Sequence, residues 1–478
     1  MGLVLAMWLM DVLVRLAPNN IPRLAEAAVN PSVLVFTLAT AVLTSVLFGT
    51  LPALQASRPD VVTSLKQVGR TSTGATAGTQ LRGLLVIVEV AIAVALVIEA
   101  GLLINTFRRI QSVDLGMRPD NVLAMEIAPP LSKYPQPSTR VDFFQRVLEK
   151  AEALPGIRSA AVVSHVPFGG SGGGGFVIEG RTPSNPREWD AEFRSASGDY
   201  FRTMGIPVLA GRSISPQDSS NSLPVAVINK AMAQRFWPND SPLGKRIRRR
   251  SGPFTYPWLT IVGIVGDVKH LGPTRDVFSE VYVSYTQPIW GSPEGAPFPF
   301  ARELVVRTEV DPMSIVSALQ QQVWSVDKEQ PVTAVRTLKN LARENVSGQR
   351  FTMLLFGAFG FFGFLLAAVG VHGVLSYTVT QRTHEIGIRA AMGANPGQIM
   401  ALVIGQGMSL AAAGIVVGLA AAFALTRFTS TLLFGVTPTD PATFASVSML
   451  FVGVAFLACY FPASKAARVD PLVASRYE

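Results

Sequence analysis

The sequence predicts a polytopic α-helical membrane protein that carries one large α+β domain on its outer side. Three observations point there. Hydrophobic residues make up 49% of the 478 positions and charged residues only 15%, where soluble chains carry about 25%, and the mean hydropathy is +0.35. The apolar runs cluster at the two ends of the chain, and residues 105 to 350 read like a water-soluble domain.

A spanning helix needs about 20 mostly apolar residues, since roughly 30 Å of hydrocarbon is crossed at about 1.5 Å per residue. Five runs qualify: Ser32 to Leu54, Gly83 to Leu103, Phe351 to Val379, Ile399 to Leu425 and the slightly short Phe444 to Phe461. A sixth, Leu3 to Leu16, falls clearly short. It lacks the basic leader of a signal peptide, although Ala25-Glu-Ala27 has the form of a cleavage site.

Basic residues orient the crossings. Arg58, Lys66, Arg70 and Arg82 lie in one connection, Arg382 and Arg389 in another, and Lys465, Arg468 and Arg476 in the tail, whereas the loops at 17–31 and 426–443 hold only Arg23 and Arg427. The first set is therefore cytoplasmic, and residues 105 to 350 fall outside, in the periplasm of a bacterium with two membranes.

An internal repeat is visible. PALQASRPD from Pro52 aligns with PASKAARVD from Pro462, and the same offset of 410 carries Asn30-Pro31 onto Asp440-Pro441. Under that offset Met1 corresponds to Ala411, inside a helix that begins near Ile399. The reading is a duplicated protein whose first half is truncated mid-helix.

The middle segment contains two β-α-β patterns. The first runs from a strand at 121–127 through an amphipathic helix, Thr139 to Leu154 with Val141, Phe144, Val147 and Leu148 on one face, to a strand at 157–163. The second comprises Leu304 to Arg307, a helix from Pro312 to Val326, and a strand at 331–335. Two such units pair into one α+β sheet. Between them lies a mostly β insertion, with strands at Val225 to Asn229, Leu259 to Val265 and Val281 to Tyr285.

Catalytic chemistry is not visible there. Gly172 to Gly175 lacks the ending of a phosphate loop and reads as a flexible loop, and Gly244-Lys245 reads as a turn. His165 and His270 have no ligand-spaced partner. Cys459 is the single cysteine, so no intrachain disulfide exists. The net charge of +9 and the cluster Lys245 to Arg250 (KRIRRR) come without an aromatic-interleaved basic stripe, which argues against nucleic acid and for a solvated or headgroup-facing surface.

After Val379 comes QRTHEIGIRAAMGANPGQIM, a short amphipathic stretch ended by Gly393 and Asn395-Pro396, with Ile386, Arg389, Ala390 and Gly393 expected on one face. It suits either an interfacial helix or one that docks into a groove on a cytoplasmic partner. Arg382, Glu385, Ile386, Gly387, Ile388, Arg389, Ala391, Gly393 and Ala394 follow a pattern that closely resembles the cytoplasmic signature of the MacB/FtsX family of ABC-transporter permeases. The likeness continues through the helix after Glu89 into SVDLGMRPDNVL, and in SGDYFRTMGIPVLAGR and NDSPLGKRI, which look like parts of a MacB periplasmic core domain. The duplicated arrangement is similar to that of the acidobacteria-type orphan permeases.

The resemblance implies an organisation along the chain. Residues 1–57 hold the last two helices of a first FtsX-like unit, 58–82 a cytoplasmic linker, 83–104 a transmembrane helix and 105–350 the MacB core-like domain. Residues 351–462 form a three-helix FtsX-like domain with the coupling segment at 380–398, and 463–478 a cytoplasmic tail. It also implies a bacterial inner-membrane permease subunit whose ATP hydrolysis resides in a separate cytoplasmic ABC ATPase, with no cofactor of its own. With one coupling segment, the chain needs a second permease copy or its missing N-terminal half. A membrane-anchored periplasmic sensor or scaffold without ATP coupling is the competing reading. Two carboxylates in one apolar helix are functional candidates by position: Glu89, expected to pair across helices, and Glu99, expected within about a turn of the outer end and able to reach water.

Overall fold

The computed structural model describes residues 31–56, 76–130, 132–170, 172–181, 189–251, 254–287 and 302–467. The first apolar run, the Ala25-Glu-Ala27 motif, most of the 58–82 linker and the tail beyond 467 lie outside them. Two compact units result, one of Ser112–Ser347 and the other of the segments on either side.

Along the chain come helices α1 (Pro31–Ala56) and α2 (Thr76–Gln111), then strand β1 (Val122–Glu126), α3 (Pro137–Glu152) and β2 (Ile157–Val163). The insertion follows: β3 (Gly173–Ile178), β4 (Asp190–Ala196), α4 (Tyr200–Met204), β5 (Val208–Gly211), β6 (Val225–Asn229) and α5 (Lys230–Phe236). It closes with β7 (Arg246–Ser251), β8 (Phe254–Thr255), β9 (Leu259–Val265) and β10 (Glu280–Ser284). The core resumes with β11 (Glu303–Thr308), a 3₁₀ turn at Pro312–Ile315, α6 (Val316–Val326), β12 (Thr333–Thr337) and α7 (Leu338–Asn345). The chain returns through α8 (Ser347–Gln381), α9 (Thr383–Ala391), α10 (Pro396–Thr429) and α11 (Pro441–Ala466).

The two β-α-β units interleave rather than sit side by side. Their strands run β12-β1-β11-β2, all antiparallel neighbours, the split order of a ferredoxin-like sheet. Alternation divides each strand between two cores. Leu123, Met125, Val162, Leu304 and Val306 face helices α3 and α6, and Val122, Ala124, Val163 and Val305 face the insertion. On α3 the buried face is Arg140, Phe143, Phe144, Val147 and Ala151, so Phe143 replaces Val141 and Leu148 at its centre. The last strand starts two residues later than expected, at Thr333.

The insertion closes on itself. β10 pairs with β6 on one side and with β4 on the other, so β10-β6-β9-β7-β3-β4 form a ring without a free edge. Phe176, Phe193, Ile228, Ile247, Ile261 and Val283, one from each strand, fill it, and Val163 opposite Ala196 joins it to the core sheet.

Two expectations are corrected here. The glycine run is the start of strand β3, not a flexible loop. Its missing side chains make room for neighbours: a Cβ at Gly174 would lie 3.2 Å from the Nε of Arg249, and one at Gly175 would lie 3.2 Å from an Nη of Arg250. The KRIRRR cluster is not a uniformly solvated face, because it becomes strand β7 and alternates. Arg249 turns inward over the rings of Phe193 and Tyr256, and Arg246 and Arg248 turn outward around Trp258. Gly244 does form the expected turn, with φ at +79° and the Lys245 amide donating to the Pro242 carbonyl.

In the other unit, four helical stretches among the described residues have the length and composition to cross a membrane: Arg82–Gln111, Ser347–Gln381, Pro396–Leu432 and Pro441–Ala466. The fifth run lies on α1. Helices α1 and α11 both have 26 residues, and both of their ends differ by the repeat offset of 410. Bends between the helices are specified locally. Asn395 and Gln398 form a capping box ahead of α10, and the Asp440 carboxylate accepts from the Thr443 amide at the start of α11.

Candidate functional site

The signature segment is a separate short helix. The Thr383 hydroxyl donates to the Val379 and Thr380 carbonyls where α8 ends. Helix α9 then stops at Gly393, whose φ of +88° suits glycine, with the Ala394 amide returning to the Arg389 carbonyl as in a Schellman cap. This geometry overturns the expected shared face of Ile386, Arg389 and Gly393, because Ile386 is buried, Arg389 is exposed and Gly393 lies past the last turn, and the expected place of the Ala390 side chain lies outside what the structure describes. Ile386 is 6% exposed and packs on Ile399 and Val403 of α10 and Ala463 and Ala466 of α11, and Gly387 is buried beside it.

The opposite face is open. Glu385, Ile388, Arg389 and Met392 stand at i, i+3, i+4 and i+7, with Ile388 48% and Met392 83% exposed. Glu385 holds Arg389 at 2.7 Å and Arg382 at 4.0 Å. Ala391 is exposed on the last turn, and Ala394 packs with the Ile386 cluster. Met392 was not recognised from the sequence, although its spacing of four from Ile388 is the signal that marks it. Exposed large apolar residues flanked by a charge pair, on a helix anchored by its other face, form a surface suited to a groove-bearing partner.

The two carboxylates of α2 behave differently from the expectation. Glu99 is fully buried, twelve residues or about 18 Å before the end of α2, and the Thr429 hydroxyl of α10 lies 3.1 and 3.3 Å from its two oxygens. The helix continues three turns past Glu99, so it does not reach water at a helix end. Glu89 lies against Gly370 of α8, where a Cβ would overlap its carboxylate, and has no hydrogen-bond or ion-pair partner among the described residues. Its neighbour is thus a gap left by glycine and not the polar partner expected.

Comparison with known proteins decides the family. Residues 84–325, more than half of the chain, match the MacB-like periplasmic core domain, and residues 357–471 match the FtsX-like permease C-terminal region. The chain belongs to the MacB/FtsX permease family. The permease is 28% identical over 292 residues to the macrolide export ATP-binding/permease protein MacB of Marinobacter nauticus, covering 60% of this chain and 43% of that one. It is 25% identical over 291 residues to the uncharacterized ABC transporter permease YvrN of Bacillus subtilis, covering 59% and 68%. It therefore spans under half the length of that MacB. The crystal structure of the periplasmic region of MacB from Actinobacillus actinomycetemcomitans aligns over 47% of this chain and 92% of that one, at 14% identity and a TM-score of 0.33. The permease is a multi-pass membrane protein with a large periplasmic-type domain.

That domain holds a buried polar network invisible in the sequence. Register places Tyr282 of β10 beside Arg194 of β4, with Glu280 two residues away on the same face. The Tyr282 hydroxyl donates to Glu280 at 2.5 Å, His270 Nε2 lies 3.3 Å from the same oxygen, and Arg194 Nε lies 3.9 Å from the other. Arg194 also donates to the His165 carbonyl at 3.1 Å. Burial, reinforced by Arg194, holds His270 below its ordinary range. Burial opposes the Glu280 charge, but His270, Arg194 and Tyr282 outweigh it and keep the carboxyl below its usual range.

Glu303, on β11, takes the reverse course. Burial pushes its carboxyl up to about 7, only partly offset by the Val166 amide that it accepts. A folded value above the unfolded one, about 4.3, means that the folded state binds the extra proton between them. The contribution of Glu303 to stability is thus full below about 4.3 and lost as pH rises to 7, a cost on the order of 3 kcal/mol. Glu303→Gln is expected to raise the thermal midpoint of the domain at pH 8 and leave it nearly unchanged at pH 4. Intrinsic-fluorescence melting of the full chain measures this, and an equal shift at both values would contradict the assignment.

Proposed function

We propose that this protein is the permease subunit of an ABC-type complex in a bacterial inner membrane, with α9 as the joint to a separate cytoplasmic ATPase. The observation that carries the reading is the outward stripe of Glu385, Ile388, Arg389 and Met392 on a helix whose inner face is locked by Ile386. Ile388 and Met392 supply apolar anchors, Arg382, Glu385 and Arg389 set orientation through charge, Gly387 permits close seating on the bundle, and Gly393 ends the helix. ATP-driven closure of the partner then moves α9 with the ends of α8, α10 and α11, and the motion is used by the periplasmic domain for efflux or for handling envelope lipid or lipoprotein. A second permease copy or a further permease half supplies the second joint.

The test is co-purification in detergent with lipoprotein-release-type ATPases from the same genome. Wild type is expected to retain its ATPase, and Ile388→Glu/Met392→Glu to lose it by about tenfold or more, since removal of two apolar anchors costs at least 1.4 kcal/mol or so. Full retention by the double variant would remove α9 as the joint, and absence of any ATPase with wild type would favour a sensor or scaffold.

A further inference from the structure

On the flank of α9 that faces α8 and α10, a cleft opens between the last turns of α8, α9 and the first turns of α10. Its walls are mostly apolar, with Leu375 and Val379 from α8, Ile386 from α9, and Leu402 and Val403 from α10, beside the polar Thr378 and Gln406. Its mouth is charged, with Arg382, Arg389 and Glu385 around it. The carboxylate lies 2.7 Å from Arg389 and 4.0 Å from Arg382, which leaves the mouth with one net positive charge.

The axial position of each residue gives the cleft its depth. Leu402 lies six residues along α10 from Pro396, about 9 Å, and Gln406 at the far end lies ten residues along, about 15 Å. On the other side of α8, Arg82 stacks over Tyr377 at 4.1 Å, and Gln381 donates to the Tyr377 hydroxyl. An aromatic ring paired with a basic side chain is typical of the level where hydrocarbon meets headgroups. The charged mouth is therefore at headgroup level and the apolar walls reach into acyl-chain depth. Leu402 is 41% exposed, so the wall opens sideways.

We propose that this cleft binds one anionic glycerophospholipid of the adjacent leaflet, with its phosphate at Arg382 and Arg389 and the start of an acyl chain along Val379 and Leu402. A free phosphate would use the mouth but has no need of the apolar wall beyond it. A soluble protein would use the exposed Ile388 and Met392, which do not line the cleft, and would not reach hydrocarbon depth. The site shares Arg382, Glu385 and Arg389 with the joint proposed above, but its apolar walls on α8 and α10 take no part in that joint.

The experiment uses the full chain, purified in detergent, stripped of lipid and offered equimolar phosphatidylglycerol and phosphatidylcholine with the same acyl chains, with retained lipid counted by native mass spectrometry. One net positive charge at the surface gives about a fivefold preference for the anionic lipid. Arg382→Gln/Arg389→Gln is expected to bring the ratio near one. Leu402→Trp, which keeps both charges and fills the cleft, is expected to bring retention down for both lipids and remains informative if the double variant does not fold. Glycerol phosphate, the headgroup chemistry without chains, is expected not to compete. Equal retention of the two lipids by wild type, a preference that survives Arg382→Gln/Arg389→Gln, retention unchanged by Leu402→Trp, or competition by glycerol phosphate would each overturn the proposal.

Discussion

Glu280→Ala is expected to remove about 3 to 5 kcal/mol from the stability of the periplasmic domain, the cost of leaving a buried partner charge alone. Arg194 and Glu280 are both essentially inaccessible, and Nε and Nη2 of Arg194 have no hydrogen-bond partner among the described residues. Glu280 is thus the charge that offsets Arg194, and it also accepts from Tyr282. At roughly 2–4 °C per kcal/mol for a domain of this size, the thermal midpoint of the full chain should fall on the order of 10 °C. The double variant Arg194→Met/Glu280→Leu should lose much less than Glu280→Ala, because no charge remains to be solvated. Losses that simply add would show that the two groups do not depend on each other. Acid should have a related effect on wild type. The lowered His270 removes stability as pH falls below about 6.5, since the unfolded chain takes up the proton first. The lowered Glu280 contributes above about 4.3, and that contribution is lost as pH falls through its folded value.

What could be read in advance follows from whether the signal is local. Apolar runs of twenty residues, the Asn395-Pro396 and Asp440-Pro441 starts, and the alternation of 121–127 and 157–163 are local patterns, and helices and strands stand at those places. Strand β3 was missed because glycine is depleted in strands, and the reason for its glycines lies across the sheet, in Arg249 and Arg250. Ring closure rests on β4 meeting β10, and the network joins Arg194 to Glu280 across 86 positions, so neither leaves a trace at any one segment. At α9 the motif residues were legible, but the face they present was not. That depends on where Gly393 turns the chain and on Ile386 finding a seat among α10 and α11, and both decide which residues stay outside.

Gly418→Leu is expected to break the association of α2 with α10, with a loss above the 1–3 kcal/mol of ordinary overpacking. A Cβ at Gly418 would lie 2.8 Å from the Ala91 carbonyl oxygen and 3.0 Å from its Cα, and one at Gly414 would lie 2.7 Å from the Val90 Cβ and 3.0 Å from the Ile87 carbonyl oxygen. Three of the six nearest atoms at the two positions are backbone and two more are the Cβ atoms of Val90 and Val94, none of which a rotamer change moves aside, so the helices must separate. In a lipid environment close packing of small residues is what drives helices together, because hydrocarbon solvates a loosened apolar surface nearly as well as protein does. The seam also carries the Glu99 to Thr429 hydrogen bond between the same two helices, and separation strands a carboxyl group in apolar surroundings. Gly405→Leu on the same helix is the matched control, since nothing lies within 4 Å of a Cβ at that position, and it should leave the bundle within about 0.5 kcal/mol of wild type. Thermal melting and size-exclusion profiles of the two leucine variants in detergent separate the outcomes: matching behaviour would mean that α2 and α10 tolerate separation and that the glycines are dispensable to the bundle.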